Sequence, residues 1–181
     1  VELLRKDQKV ENTWDLESMF KTNDDFWNQF KEVEKLIPEI TNYRGKVKEG
    51  AKGLLEVFKA EEDMSLKMEQ LTIYAFLRKD QDSTDAEYGE LYAKTMNLSS
   101  KFYAEWSFLK PELLSIEEDV LLGYVEELDE LKVYKFELEK LNKKRPHTLD
   151  AEQEKIIAMA GEALNASDET FSALNNADVE F

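Results

Sequence analysis

Residues 85–111 read DAEYGELYAKTMNLSSKFYAEWSFLKP. Within this stretch Tyr88, Leu91, Tyr92, Thr95, Leu98, Phe102, Trp106 and Leu109 keep three- and four-residue spacing. A helix turns about 100° per residue, so this spacing puts all of them on one face. Ser83-Thr84-Asp85 supplies a start signal and Pro111 a stop. A half-buried strand would alternate with a period of two, and no segment of the chain does so convincingly. The fold class expected from the sequence is all-α, with no significant sheet.

The same period extends toward the N-terminus. Thr22-Asn23-Asp24-Asp25 is a helix start, followed by Phe26, Phe30, Val33 and Ile37 on one face, with Trp27 and Leu36 widening it. Pro38 can end that helix or sit in the first turn of the next. Ahead of it, a short lead and small helix carry Trp14, Leu16, Met19 and Phe20, with Asn12 or Thr13 as the cap and Asp15 in the first turn. Ile40, Tyr43 and Val47 share a face, and Gly45, Gly50 and Gly53 mark the loosest region, a helix end and a new start. Leu54, Leu55, Val57 and Phe58 resume the pattern. The acidic Glu61-Glu62-Asp63 is read as the start of a separate, longer helix bearing Met64, Met68, Leu71, Ile73, Tyr74 and Leu77.

Toward the C-terminus, Leu113, Leu114 and Ile116 form a connector, and Glu117-Glu118-Asp119 again reads as a helix start. Val120, Leu121, Tyr124, Leu128, Leu131, Tyr134, Leu138 and Leu141 predict two helices with a break near Gly123. Lys143-Lys144-Arg145-Pro146 is a stop signal: cations at a helix C-terminus, then proline. Asp150 and Gln153 open a further helix with Ile156, Ile157, Met159, Ala160 and Leu164. The tail Phe171, Leu174, Val179 and Phe181 is apolar to the last residue, and the chain starts at Val1; both features suggest a native chain that continues. The whole of 1–181 reads as one helical unit of up to about ten helices, without repeats or a low-complexity linker.

Composition narrows function. Six glycines and three prolines among 181 residues are too few for the turns of a sandwich or barrel. Without cysteine there are no disulfides, thiolate metal sites or cysteine nucleophile. His147 is the one histidine, so the chain cannot contain an H-E-x-x-H zinc site, which needs two. The formal charge of −16 repels phosphate backbones and anionic bilayers, which argues against nucleic-acid and membrane partners, although Lys140, Lys143, Lys144 and Arg145 form a local basic run. No stretch approaches the roughly 18 apolar residues of a membrane helix, and no signal segment opens the chain, which favours a cytoplasmic location.

Candidate sites are few. Asp80-Gln81-Asp82-Ser83-Thr84-Asp85 has carboxylates at alternating positions, as a calcium loop does. Asp85 stands at the sixth position, where that loop needs glycine, and Leu91 at the twelfth, where it needs glutamate, so it reads as an acidic turn capping the next helix. His147 has no partner at a recognisable spacing and reads as a structural or capping residue. Three Trp, seven Tyr and ten Phe at helical spacing read mainly as core, with a peptide-contacting groove as the alternative. From the residues alone no catalytic or metal residue is assigned, and substrate-contacting residues stay unidentified.

Six strings in order carry a resemblance. They are Thr13-Trp14-Asp15-Leu16 with Arg5 before it and Met19-Phe20 after; Tyr43-Arg44-Gly45-Lys46-Val47; Leu71-Thr72-Ile73-Tyr74-Ala75-Phe76-Leu77, continuing to Asp80, Asp82, Thr84 and Asp85; Ala104-Glu105-Trp106-Ser107-Phe108-Leu109-Lys110-Pro111-Glu112-Leu113-Leu114; Lys144-Arg145-Pro146-His147-Thr148-Leu149 leading to Glu152 and Glu154; and Leu174-Asn175-Asn176-Ala177-Asp178-Val179-Glu180-Phe181. Together they resemble the N-terminal lobe of oligoendopeptidase F, in the thimet-oligopeptidase-like family of zinc metallopeptidases. The resemblance implies a longer parent whose zinc-binding catalytic lobe is absent from this chain. It implies no cofactor here and zinc in that missing lobe. The implied partners are the chain's own C-terminal catalytic lobe and oligopeptide substrates, with this lobe walling the substrate channel. The alternative class is a stand-alone acidic helical module that binds a protein partner.

Overall fold

Thr22 opens the first long helix, α1 (Asn23–Leu36), through a capping box: its hydroxyl accepts from the Asp25 N–H, and the Asp25 carboxylate accepts from the Thr22 N–H. In the computed structural model, residues 8–82 and 85–148 are described, with Gln153, Ala160, Ala166, Ser167, Thr170 and Phe171 as separate positions. The described residues are all-α, with no strand among them. The helix expected from Asp150 onward and the apolar tail lie largely outside the described residues.

Helix α2 (Ala51–Gln81) follows, 31 residues long. Leu54, Val57, Met64, Met68, Leu71 and Ala75 form its buried stripe. The acidic Glu61-Glu62-Asp63 lies in the middle of this helix and starts nothing. Val57 and Met64 are two turns apart on one face, so the stripe continues past the triplet and one helix replaces the two expected. Asp85 caps α3 (Ala86–Trp106), its carboxylate accepting from the N–H groups of Glu87 and Tyr88 at 2.8 and 3.2 Å. That agrees with the capping reading of the acidic turn.

Three boundaries differ from expectation. α3 stops at Trp106, and Pro111 lies inside α4 (Leu109–Leu114), early enough that its missing N–H leaves no helical bond unmade. Gly123 lies inside α5 (Glu118–Glu127), exposed, where glycine is tolerated at modest cost. The interruption comes at the extended Leu128, followed by a 3₁₀ segment, Asp129–Tyr134, and α6 (Lys135–Lys144). The N-terminal lead forms two 3₁₀ turns, Val10–Asn12 and Leu16–Ser18, in place of a small α-helix. Thr13 closes the first turn and Asp15 precedes the second, while buried Leu16 and Phe20 anchor the segment. Pro38 takes the second of its two readings, near the start of the 3₁₀ helix Ile37–Tyr43.

α2 is the axis of the core: α1, α3 and α5 each pack against it. Phe20, Phe26 and Tyr74 fill the junction with α1, ring centroids 5.0–5.5 Å apart. The start of α2 lies so close to the turn Lys46–Glu49 that a Cβ on Gly53 would stand 2.1 Å from the Lys46 carbonyl oxygen. Only glycine fits there. The chain divides into two compact units, 1–139 and 140–181. In the second, the Arg145 guanidinium donates to the Asn142 side-chain oxygen at 2.8 Å.

Candidate functional site

Helices α1 and α3 lie on α2 with the same direction. Their N-terminal ends are joined by a hydrogen bond from the Asn23 amide to the Glu87 carboxylate, 2.7 Å. One turn further on, the Lys94 ammonium sits 5.3 Å from the centre of the Trp27 ring. Beyond the Asn23–Glu87 bond the two helices bound a groove of about 580 Å³. α1 contributes Trp27, Phe30, Lys31 and Glu34; the main polar groups from α3 are Lys94, Asn97 and Lys101.

The floor of the groove is aromatic. Trp27 and Phe30 meet edge to face at 5.3 Å, and Phe26, fully buried, holds Trp27 in turn at 5.1 Å. Sequence periodicity assigns Trp27 and Phe30 to the core face of α1, but the structure leaves both half-buried, with ring surface open to the groove. The rim is cationic. Lys94 pairs with Glu90 at 2.6 Å, a contact that holds the Glu90 carboxyl below its ordinary range. Lys31 and Lys101 have no ion pair among the described residues. Sequence reasoning passed over these lysines because isolated cations on a periodic helix read as solvated surface. The available signal was Lys94 and Lys101, seven residues apart and so on one side of α3.

A second recess, about 380 Å³, lies between the N-terminal lead and the end of α2, with Trp14, Glu17, Arg78, Asp85 and Tyr88 in its wall. Arg78 is the hub. Its guanidinium lies over the rings of Tyr74 and Tyr88 and donates to the Tyr74 hydroxyl, the Gln81 side chain and Glu17. Burial works against its charge, but these partners outweigh that cost and raise its pKa. With its donors engaged inside the chain, Arg78 clamps the lead onto α2.

The remaining sequence candidates disperse. Glu61 accepts from Ser65, and Glu62 accepts from Tyr134 at 2.8 Å. Glu117 precedes α5, with Glu118 and Asp119 in its first turn. His147 is exposed in the 3₁₀ turn Arg145–His147. Among the described residues no group of three His, Cys, Asp or Glu side chains is placed to hold a metal ion.

The motif strings interlock. The Gly45 N–H donates to both oxygens of Glu112, at 3.0 and 2.8 Å. Tyr43 stacks on Trp106, and Trp106 on Phe108. Arg44 lies 4.6 Å over the Phe108 ring and 3.6 Å from Glu105. Residues 43–47 and 104–114 therefore fasten the end of α3 and α4 to the turn that leads into α2, a packing role.

A family model described as Oligopeptidase F matches residues 112–181. The relatives narrow the class. Oligopeptidase PepF of Bacillus subtilis is 39% identical over 98% of this chain and 26% of its own length. Group B oligopeptidase PepB of Streptococcus agalactiae is 34% identical over 93% of this chain and 28% of its own. The crystal structure of oligoendopeptidase-F from Enterococcus faecium superposes with a TM-score of 0.72 at 32% identity, covering 88% of this chain and 32% of that one. The chain matches the N-terminal lobe of oligoendopeptidase F, the resemblance its motifs carry. It spans about a quarter of the length of these curated relatives.

Proposed function

We propose that residues 1–181 form the non-catalytic N-terminal lobe of a zinc-dependent oligoendopeptidase that hydrolyses short peptides, and that this lobe walls the substrate channel. The observation that carries the reading is the end-to-end match to an oligopeptidase, 98% of this chain against 26% of the relative. Zinc does not fit the residues present: the chain has one histidine and no cysteine, and no metal-holding cluster exists among its described residues. In this proposal the metal and its ligands belong to a downstream lobe. A cytoplasmic location belongs to the same proposal; among the described residues no helix is long and apolar enough to cross a membrane.

The far side of α2 supports a lobe that packs against further chain. Leu66 and Ile73 lie opposite its buried stripe and Phe76 on its flank, 60, 42 and 49% exposed. A helix apolar on two sides is normally covered on both.

The test is a turnover assay on purified 1–181 with zinc and an internally quenched oligopeptide. No cleavage is expected; zinc-dependent turnover by this chain, free of contaminating peptidase, overturns the reading. Sequencing the native coding region past the Phe181 codon is the companion measurement. A frame running on to an H-E-x-x-H helix supports the proposal, and a stop codon there transfers the case to the stand-alone interaction module.

A further inference from the structure

We propose that the groove between α1 and α3 binds the C-terminal end of an oligopeptide, with the terminal carboxylate at the lysine rim and the last apolar side chain on the aromatic floor. The first argument is charge. The chain carries −16, yet Lys31, Lys94 and Lys101 border the groove; Glu34 is the one carboxylate in its lining, and Lys94 is paired with Glu90 beside it. A concentration of cations on an acidic molecule focuses field at one place and selects an anion there. Among the described residues Lys31 and Lys101 are not neutralised by a carboxylate, so both are available to a ligand.

The second argument is shape. The groove's volume, about 580 Å³, falls in the range of roughly 300–1,000 Å³ typical of small-ligand sites and exceeds the needs of a bare anion. Trp27 and Phe30 offer rigid ring surface that is already ordered by Phe26, so an apolar side chain docks there at little entropic cost. The Asn97 amide on the same wall can donate to and accept from a peptide backbone. A peptide C-terminus puts an anion and an apolar side chain within one residue of each other, and here the Lys94 ammonium stands 5.3 Å from the centre of the Trp27 ring. Lysines suit a carboxylate: each ammonium is a point charge whose three N–H groups can donate to it from several directions.

The choice of peptide as ligand rests on the reading under Proposed function, but the test involves no catalysis. A failure to bind leaves the lobe assignment intact, and peptide cleavage by this chain overturns the lobe assignment without touching the groove. The probe is a pentapeptide, Gly-Gly-Gly-Leu-Phe, N-terminally labelled, titrated with 1–181 by fluorescence anisotropy. Its C-terminal amide and an amide-capped variant ending in Glu are the comparison ligands. The free acid is expected to bind, with at least about tenfold loss for the amide, a difference of about 1.4 kcal/mol. The double variant Lys31→Gln/Lys101→Gln should lose a similar factor, and Trp27→Ala should weaken the free acid while circular dichroism stays helical. Equal binding of acid and amide overturns the proposal, as does binding unchanged in the double variant. Preference for the capped Glu peptide reassigns the groove to acidic side chains, and no binding at about 1 mM removes the site altogether.

Discussion

Tyr134 shows how one side chain couples two elements and makes stability depend on pH. Its hydroxyl donates to Glu62 at the middle of α2, and its ring lies 4.8 Å from Phe58. Burial, then the bond to Glu62, pushes its pKa up to about 12 from an ordinary 10.0. The folded state therefore holds this proton more tightly than the unfolded chain does, and the contribution is complete below pH 10.0 and lost as pH rises through about 12. Wild type should lose melting temperature more steeply across that window than Tyr134→Phe, and the variant should lack the latest step in a tyrosinate absorbance titration. Parallel melting curves for the two proteins over this range would contradict the coupling. Two glycines make a second residue-scale contrast. Gly53→Ala places its Cβ against the Lys46 carbonyl and should destabilise by about 1–3 kcal/mol, as overpacked sites do. Gly123→Ala meets nothing within 4 Å on an exposed helical face and should stabilise by about 0.5–1 kcal/mol. Urea denaturation separates the two by sign.

At the scale of elements, the caps of α1 and α3 and the stop after α6 were legible, and the breaks between were not. Thr22 and Asp85 announce α1 and α3 because a short oxygen-bearing side chain just before a periodic run satisfies backbone N–H groups that nothing else reaches. Thr22→Ala should accordingly cost about 1 kcal/mol in urea unfolding, and an unchanged midpoint would mean that α1 is held by packing on α2 alone. Glu61-Glu62-Asp63 misleads because carboxylates suit both a helix N-terminus and the solvated side of a helix interior, and the seven-residue step from buried Val57 to buried Met64, two turns on one face, is what a continuous helix gives. Pro111 misleads because a helix can end before a proline, here at Trp106, and a new one can begin around it. The groove was hidden for a related reason. Periodicity identifies which side of α1 is apolar, but whether Trp27 is covered depends on how α1 and α3 sit on a shared third helix, and no spacing within one helix records that arrangement.

At the scale of the whole molecule, α2 has two apolar sides and one described set of neighbours. Its inner stripe is closed by α1, α3 and α5. On its outer side Leu66, Ile73 and Phe76 stand among the exposed carboxylates Glu62 and Glu69, and Phe76 meets Tyr92 of α3 at 6.5 Å. These side chains are only partly buried and contribute little to the stability of this unit, so replacing them should leave it folded. Leu66→Gln, Ile73→Gln and Phe76→Gln together should shift the urea midpoint of 1–181 little, because exposed substitutions are usually worth within about 0.5 kcal/mol each. The same change should lower binding of a hydrophobic dye and self-association at high concentration. Placed in a full-length protein, it should weaken the contact between this lobe and the remaining chain, read as earlier proteolytic release of a fragment near this size. Unfolding of the triple variant would show that these side chains belong to the unit's own core. A full-length protein that withstands protease equally well with and without the change would mean that the second apolar side of α2 faces solvent there, and that the proposed lobe contact lies elsewhere.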